Sequence, residues 1–129
     1  MTKTEAIENA ELEAVREVLQ NYIDGTYFAD IAKLKSVFHE KAVMNGYLGP
    51  NLLLTNPMPF IEEISSVPSM KSNNDPYHAE IKNVCIEGNV ASAVIHETGF
   101  RGQVSFVNFF HLIKTDGVWH IISKLFTTI

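Results

Sequence analysis

Apolar and polar positions in the first part of the chain follow helical spacing. Apolar residues recur every three or four positions and form one stripe, made of Leu12, Val15, Val18, Leu19, Tyr22 and Ile23. This spacing predicts an amphipathic helix of about five turns. Thr2 and Glu5 fit a capping box at its start, and Gly25 is the expected stop at its end.

Two shorter helices and one short strand are predicted next. Asp30 can cap a second helix over "IAKLKSVF", and Asn56-Pro57 begins a third helix that continues to Val67. Between them, "AVMNGYLGP" predicts a short strand that ends in a turn at Gly49-Pro50. The polar segment "PSMKSNNDP" is then predicted to be a surface loop.

From Tyr77 onward the pattern is that of β-structure. Glycine-containing turns at Gly88-Asn89, Arg101-Gly102 and Asp116-Gly117 separate four long strand-like segments, "YHAEIKNVCIE", "VASAVIHETGF", "QVSFVNFFHLIK" and "VWHIISKLFTTI". They predict a four-strand antiparallel meander. Helices followed by an antiparallel sheet are typical of an α+β fold, here a single domain over residues 1–129.

The last two strands are apolar on both faces. Phe109, Phe110, Leu112 and Ile113 fall on both parities, whereas a strand wet on one side should alternate apolar and polar residues. The N-terminal helices can cover the concave face of a twisted sheet, and no other predicted element is left for the outer face. We therefore expect a homodimer formed through the outer sheet face.

Composition and charge exclude several classes of partner. The formal net charge is −5 and the ten Lys and Arg residues form no cluster, which argues against a nucleic-acid partner. Cys85 is the single cysteine, and the five histidines show neither His-x-His nor His-x-x-x-His spacing, so we expect no metal site and no cofactor. The acidic N-terminus and the lack of an apolar run near ~20 residues predict a cytoplasmic protein without a membrane partner.

Three spaced motifs carry a resemblance to a known superfamily. They are Gly25 followed by Asp30-x-x-x-Leu34, Phe38-His39-x-x-Ala42, and Lys114-x-Asp116-Gly117-x-Trp119-x-Ile121-x-x-Lys124. With the element order, they resemble the nuclear-transport-factor-2-like superfamily (SnoaL-like and ketosteroid-isomerase-like folds) over roughly Glu5 to Thr127. The details are closest to the putative lumazine-binding protein family. The resemblance implies a cystatin-like, cone-shaped barrel of three N-terminal helices on a strongly curved antiparallel sheet.

The resemblance also implies a ligand site between the helices and the concave sheet face. The ketosteroid-isomerase-like branch places an acidic base on the first strand, where this chain has Val43 to Tyr47 and no carboxylate. Asn45 there cannot take a proton at neutral pH. Asn45 and Tyr47 share one strand face and are candidates to orient a ligand. The alternative places Tyr47 at the rim and Asn45 in the turn, bonded to backbone.

Further candidates lie in the predicted strand "QVSFVNFFHLIK" and around the first helix. His111 and Asn108 have opposite parity, so one should face the cone and the other the dimer partner. His111 is the candidate catalytic acid or base, and the alternative is a locally bonded core histidine. Tyr22, Tyr27 and Trp119 complete the candidate ligand-binding set. The apolar stripe already explains Tyr22 as a core residue, and Trp119 is expected to anchor the sheet against a helix.

Two function classes follow, and a third stays open. We expect a small-molecule-binding protein with one apolar-lined pocket per subunit and a few polar groups for orientation. The alternative is an enzyme of the dehydratase, isomerase or cyclase type acting on a cyclic, largely apolar substrate. A dimeric association module is the third class, because this fold serves enzymes, binders and assembly proteins alike.

Overall fold

The computed structural model describes residues 2–129 and has helices before a long sheet. The elements of this part of the chain, in order, are α1 (Lys3–Phe28), α2 (Ile31–Val37), β1 (Phe38–Leu48), β2 (Asn51–Thr55), α3 (Met58–Ser66), β3 (His78–Glu87), β4 (Val90–Phe100), β5 (Val104–Thr115) and β6 (Val118–Thr128). The predicted α+β architecture, with three helices packed on a curved sheet, is confirmed.

Within residues 2–129 the strands form one sheet in the order β2-β1-β6-β5-β4-β3. The predicted meander is present as β3 to β6, with antiparallel pairing throughout. The sheet is mixed and not purely antiparallel, because β1 runs parallel to β6. It is also open and does not close into a barrel, since β2 and β3 are its two edges. The strand β2, a hairpin partner of β1, was not predicted.

Helix α1 begins as predicted and ends later than predicted. The Thr2 side chain accepts a hydrogen bond of 3.0 Å from the backbone N–H of Glu5. The helix passes Gly25 and ends at Phe28, where Ala29 takes a left-handed conformation with φ of 53°. Gly25 is required for packing: an added Cβ would lie 2.8 Å from Cγ of Leu34 in α2. A glycine at position 25 is therefore explained by the close approach of α1 and α2, and not by the end of α1.

The core lies between the helices and the concave sheet face. Helices α1, α2 and α3 bury apolar side chains that meet inward-facing residues of β4, β5 and β6, and the fully buried members include Val15, Leu19, Leu34, Ile64, Ile95, Phe110 and Ile121. A second, smaller apolar cluster of Met44, Phe106 and Phe126 lies toward the β1–β2 hairpin. The space beside this smaller cluster is where the candidate site is found.

A bulge explains part of the two-faced pattern of β6. The register of β6 against β5 skips one residue, Ile122. The buried side chains before it are Trp119 and Ile121, and those after it are Lys124 and Phe126. The bulge therefore changes which alternate residues of β6 face inward, from odd-numbered positions before Ile122 to even-numbered positions after it.

The outer sheet face still carries exposed apolar side chains at its β2-β1-β6-β5 end. They are Val43, Tyr47, Leu52, Leu54, Phe109 and Leu125. The strand register places these residues side by side, since Leu125 pairs with Phe109 and Tyr47 pairs with Leu52. We call this set the outer apolar patch.

Candidate functional site

A cavity of about 310 Å³ lies between α3, the β1–β2 hairpin and the concave face of β4 to β6. Its wall is largely apolar and aromatic, formed chiefly by Met44, Leu53, Phe60, Phe100, Phe106 and Phe126. This volume falls at the lower end of the range of about 300–1,000 Å³ that small-molecule sites usually have. Thr55 and the charged residues Glu63, Glu97 and Lys124 also line it.

Glu97 in β4 is a buried carboxylate held by three side chains. Its Oε1 accepts a hydrogen bond of 2.6 Å from Nδ2 of Asn108 and one of 3.4 Å from the hydroxyl of Tyr22. Its Oε2 accepts from the hydroxyl of Tyr77. The second N–H of the Asn108 amide donates to the backbone carbonyl of Ile95 at 3.1 Å, which fixes that amide in position. Several donors to one carboxylate make its buried charge tolerable.

Lys124 in β6 lies against the same wall, surrounded by aromatic rings. Its Nζ donates a hydrogen bond of 2.7 Å to the hydroxyl of Tyr22. The same atom is 4.4 Å from the ring centre of Phe60, 4.9 Å from that of Tyr22 and 5.5 Å from that of Phe126. The Tyr22 hydroxyl therefore links Lys124 to Glu97, and the ring faces provide cation–π stabilisation.

Burial shifts the protonation of this cluster. Desolvation lowers the pKa of Lys124 to about 8, although the nearby charge of Glu97 acts in the opposite direction. Desolvation and the Glu97 carboxylate both raise the pKa of Tyr22 well above its ordinary value, and they raise that of Tyr77 as well. The two tyrosines are therefore fixed as neutral donors, whereas Lys124 can lose its proton in the physiological range.

Three of the residues proposed from the sequence lie near this cluster. Tyr22 and Asn108 bond Glu97 directly, from behind the cavity wall. Tyr27 stacks on Tyr77 with ring centres 5.8 Å apart and so supports one of the donors to Glu97. Tyr22, Tyr27 and Asn108 accordingly position the charged groups and do not themselves line the cavity.

The other four candidates lie elsewhere. Asn45 and Tyr47 are on the outer face, and the Asn45 Oδ1 accepts from the backbone N–H of Thr55 at 3.1 Å. His111 is exposed on the outer face, opposite in parity to buried Asn108. Trp119 is buried against α1, and its Nε1 donates to Glu11 at 2.9 Å. The sequence-based roles of these four residues stay predictions, and the cavity does not bring them together.

Glu97 and Lys124 were missed by sequence reasoning. In β4 the inward positions are Ala91, Ala93 and Ile95, and Glu97 continues that parity. A carboxylate in an otherwise apolar row of inward positions could therefore have identified Glu97 as a candidate site residue. Lys124 was less readable, because the bulge at Ile122 changes the parity of β6 before it.

Neither a metal cluster nor a membrane-spanning helix is found in the described part of the chain. Among residues 2–129 no group of three or more His, Cys, Asp and Glu side chains is placed to hold a metal ion. None of the three helices in that range is both long and apolar enough to cross a membrane.

The fold and the cavity define an α+β protein of the nuclear-transport-factor-2-like class. A nuclear-transport-factor-2-like protein of unknown function from Shewanella baltica OS155 has a TM-score of 0.81 and 27% identity, covering 100% of this chain and 98% of that one. A second, from Methylobacillus flagellatus KT, has a TM-score of 0.79 and 25% identity, covering 93% of each chain. A third, from Silicibacter pomeroyi DSS-3, shares the fold with a TM-score of 0.79 and 21% identity, covering 100% of each chain.

The family match is more specific than the fold. The family described as "Putative lumazine-binding" matches residues 10–127, and the chain belongs to this family. No curated protein matches the chain in sequence.

Proposed function

We propose that this chain is a single-domain small-molecule-binding protein that holds an apolar, ring-containing ligand in the cavity beside Phe60. The observation that carries the proposal is the composition of the wall, in which aromatic and aliphatic side chains surround a buried lysine and a buried carboxylate. Apolar walls with few convergent polar groups are typical of ligand sites. The apolar part gives affinity, and Lys124 and Glu97 orient the ligand.

The family description suggests lumazine as one probe. A lumazine ring carries several hydrogen-bonding groups, and the polar residues of the wall are few, namely Thr55, Glu63, Glu97 and Lys124. Unpaired polar atoms are costly to bury. We therefore favour a more apolar ring system that presents one polar group to Lys124.

A homodimer through the outer apolar patch is part of this proposal. Leu54 in β2 is 71% exposed, and Leu125 in β6 and Phe109 in β5 are about half exposed, all on one face of the sheet. Contiguous apolar surface of this kind is typical of an interface. A second copy is the occupant we propose, because two identical sheet faces packed against each other bury the patch on both subunits at once.

The unpaired cysteine, Cys85, is compatible with the cytoplasmic location we propose.

An enzyme of the isomerase, dehydratase or cyclase type is the second candidate. It is favoured by the carboxylate of Glu97, which lines the cavity and is fixed by Tyr77 and Asn108. Such a group can accept a proton from a bound substrate. In this candidate Glu97 takes the role that the sequence suggested for His111, whose side chain lies on the opposite sheet face.

Native mass spectrometry of the purified protein, followed by denaturing spectra of the same sample, tests the proposal. We expect a dimer with an added mass of a small molecule that is lost on denaturation. Thr55→Phe, which narrows the cavity, should remove the adduct, whereas Thr98→Phe at an exposed position of β4 should keep it. A dimer that carries no adduct and binds neither lumazine nor 2-naphthylmethanol would instead favour a dimeric association module.

A further inference from the structure

Lys124 has a buried amine that is hydrogen-bonded to a hydroxyl group. It is 4% exposed and forms part of the cavity wall. Its Nζ donates to a neutral hydroxyl, that of Tyr22, and the ring of Phe60 lies 4.4 Å away. The carboxylate of Glu97 is reached through that hydroxyl, at 3.4 Å from it.

Desolvation makes the neutral amine of Lys124 more populated than that of an exposed lysine, against the ring faces and the Glu97 charge, which favour the ammonium form. Burial among aromatic rings lowers the pKa of Lys124 to about 8. A neutral lysine amine is a nucleophile, and a lysine desolvated in an apolar pocket is the usual form of one that attacks carbonyl carbon. The ordinary pKa of a lysine is 10.5, so the free amine of an exposed lysine is far scarcer at neutral pH.

We propose that Lys124 forms an imine with an aldehyde or unhindered ketone group carried by an apolar or aromatic molecule bound in the cavity. The proposal rests on the proposed function, since it requires the cavity to bind a small molecule, and it adds the chemical class of the ligand. The carbonyl is the one polar group that such a ligand would present to Lys124.

The step balances with the groups present. The lone pair of Nζ attacks the carbonyl carbon, the C=O π electrons move to oxygen, and a proton transfers from nitrogen to that oxygen to give a carbinolamine. The hydroxyl then leaves as water with the second nitrogen proton, and the C=N bond forms. Amine and carbonyl are converted to imine and water, and no oxidant or reductant is needed.

Neighbouring residues can carry the protons of these two steps. The Tyr22 hydroxyl contacts both Nζ of Lys124, at 2.7 Å, and Oε1 of Glu97, at 3.4 Å. A proton can therefore pass between the reacting nitrogen and the carboxylate through one hydroxyl. The negative charge of Glu97 also disfavours ligands with a carboxylate near the carbonyl, because like charges repel at short range.

The test uses 2-naphthaldehyde as the carbonyl probe and 2-naphthylmethanol as its unreactive analogue. The full-length protein is incubated with the aldehyde at a series of pH values and pulsed briefly with borohydride, which reduces an imine to a stable secondary amine. Peptide mass mapping then locates the label. Binding of the alcohol, measured by fluorescence, reports on the cavity independently of covalent chemistry.

We expect Lys124 to be labelled at least tenfold faster than exposed lysines at neutral pH, with half-maximal labelling near pH 8. Lys124→Arg should lose this label. The control variant Lys82→Arg changes a partly exposed lysine of β3. In this variant Lys124 should be labelled at the wild-type rate. Because wild-type protein is mapped directly, the result does not depend on the folding of any variant.

Two outcomes would overturn the proposal, and they differ in what they imply. Binding of the alcohol without preferential labelling of Lys124 would exclude imine formation and leave the binding function standing. Absence of both binding and labelling would count against the proposed function for aromatic ligands and against the imine together.

Discussion

The hydroxyl of Tyr22 in α1 accepts a hydrogen bond of 2.7 Å from Nζ of Lys124 in β6, so the first helix and the final strand meet at the cavity wall. Both side chains are buried, and the second bond of that hydroxyl, to Glu97, extends the contact to β4. The charged groups of the site are thus held by three separate elements. Protonation and substitution at these residues should therefore affect stability as well as binding.

The lowered pKa of Lys124 predicts that the free energy of unfolding rises with pH in the mildly alkaline range. Its pKa is about 8 in the folded chain against an ordinary value of 10.5. Between those values the unfolded chain binds more protons than the folded chain, so the free energy of unfolding increases with pH. The full difference corresponds to on the order of 3 kcal/mol. Above about pH 10 the raised pKa values of Tyr22 and Tyr77 reverse the trend, because the unfolded tyrosines then lose protons first.

Urea unfolding at pH values from about 7 to about 10 measures this trend. Lys124→Met, which removes the titrating group and keeps the apolar stem, should abolish the rise. Lys82→Met changes a lysine with a 40% exposed side chain and should leave the rise intact. An unchanged slope in Lys124→Met would show that another group is responsible.

Glu97→Gln should lower the pKa of Lys124 further. The carboxylate favours the charged lysine, and the amide would not, so the midpoint of a lysine ¹³Cε NMR titration should move below about 8. We also expect a loss of about 1–3 kcal/mol in the free energy of unfolding, because Tyr77 and Asn108 lose a charged acceptor. Glu80→Gln at an exposed position of β3 is the matched control. A midpoint equal to that of wild type would refute the electrostatic link.

Phe109→Asp should convert the proposed dimer to a monomer. The side chain is 50% exposed on β5, the strand that borders the outer apolar patch, and a carboxylate there would have to be desolvated in the interface. Light scattering coupled to size-exclusion chromatography gives the mass directly. Ile7→Asp introduces the same charge at a 57% exposed position of α1 and should leave a dimer. If wild type itself is a monomer, the outer apolar patch needs another explanation.

Gly46→Ala should lower the free energy of unfolding by about 1–3 kcal/mol or more. An added Cβ would lie 2.0 Å from the backbone oxygen of Phe126, where strands β1 and β6 run side by side. Gly88→Ala is the comparison: its φ is 56° but no heavy atom lies within 4 Å of the added Cβ, so only the backbone cost of about 1 kcal/mol applies. Equal midpoints for the two variants in chemical denaturation would contradict the proposed close approach.

The fold could be predicted from the sequence wherever the spacing of apolar residues kept one period, helical or strand-like, over a whole element. The stripe from Leu12 to Ile23 predicted α1, and the glycine turns predicted the meander from β3 to β6. The β1–β2 pair was predicted only in part, because "NLLLT" is short and its apolar residues are exposed. The parallel pairing of β1 with β6 joins segments about 80 residues apart, and no local pattern encodes such a contact.

The site was less readable than the fold, for a physical reason. Tyr22 and Asn108 were proposed because a polar group stood in an apolar stripe or strand. Applied to β4, the same rule would have found Glu97. The rule fails at Lys124, because the extra residue Ile122 shifts the parity on which it depends. Asn45, Tyr47 and His111 occupy the outward parity, and strand alternation alone does not tell which side of a sheet is the inner one.

The central position of β6 in the sheet has a consequence for how the chain acquires its structure. β6 follows every other described element in the sequence, yet it lies between β1 and β5. A chain emerging from the ribosome can form the helices and the β3–β5 hairpins early, while β1 lacks its neighbour β6 until the other described elements have been synthesised. Nascent chains should therefore stay accessible to chaperones and proteases until β6 is released, and a premature stop before Val118 would remove both the bridge between the two halves of the sheet and the lysine of the cavity.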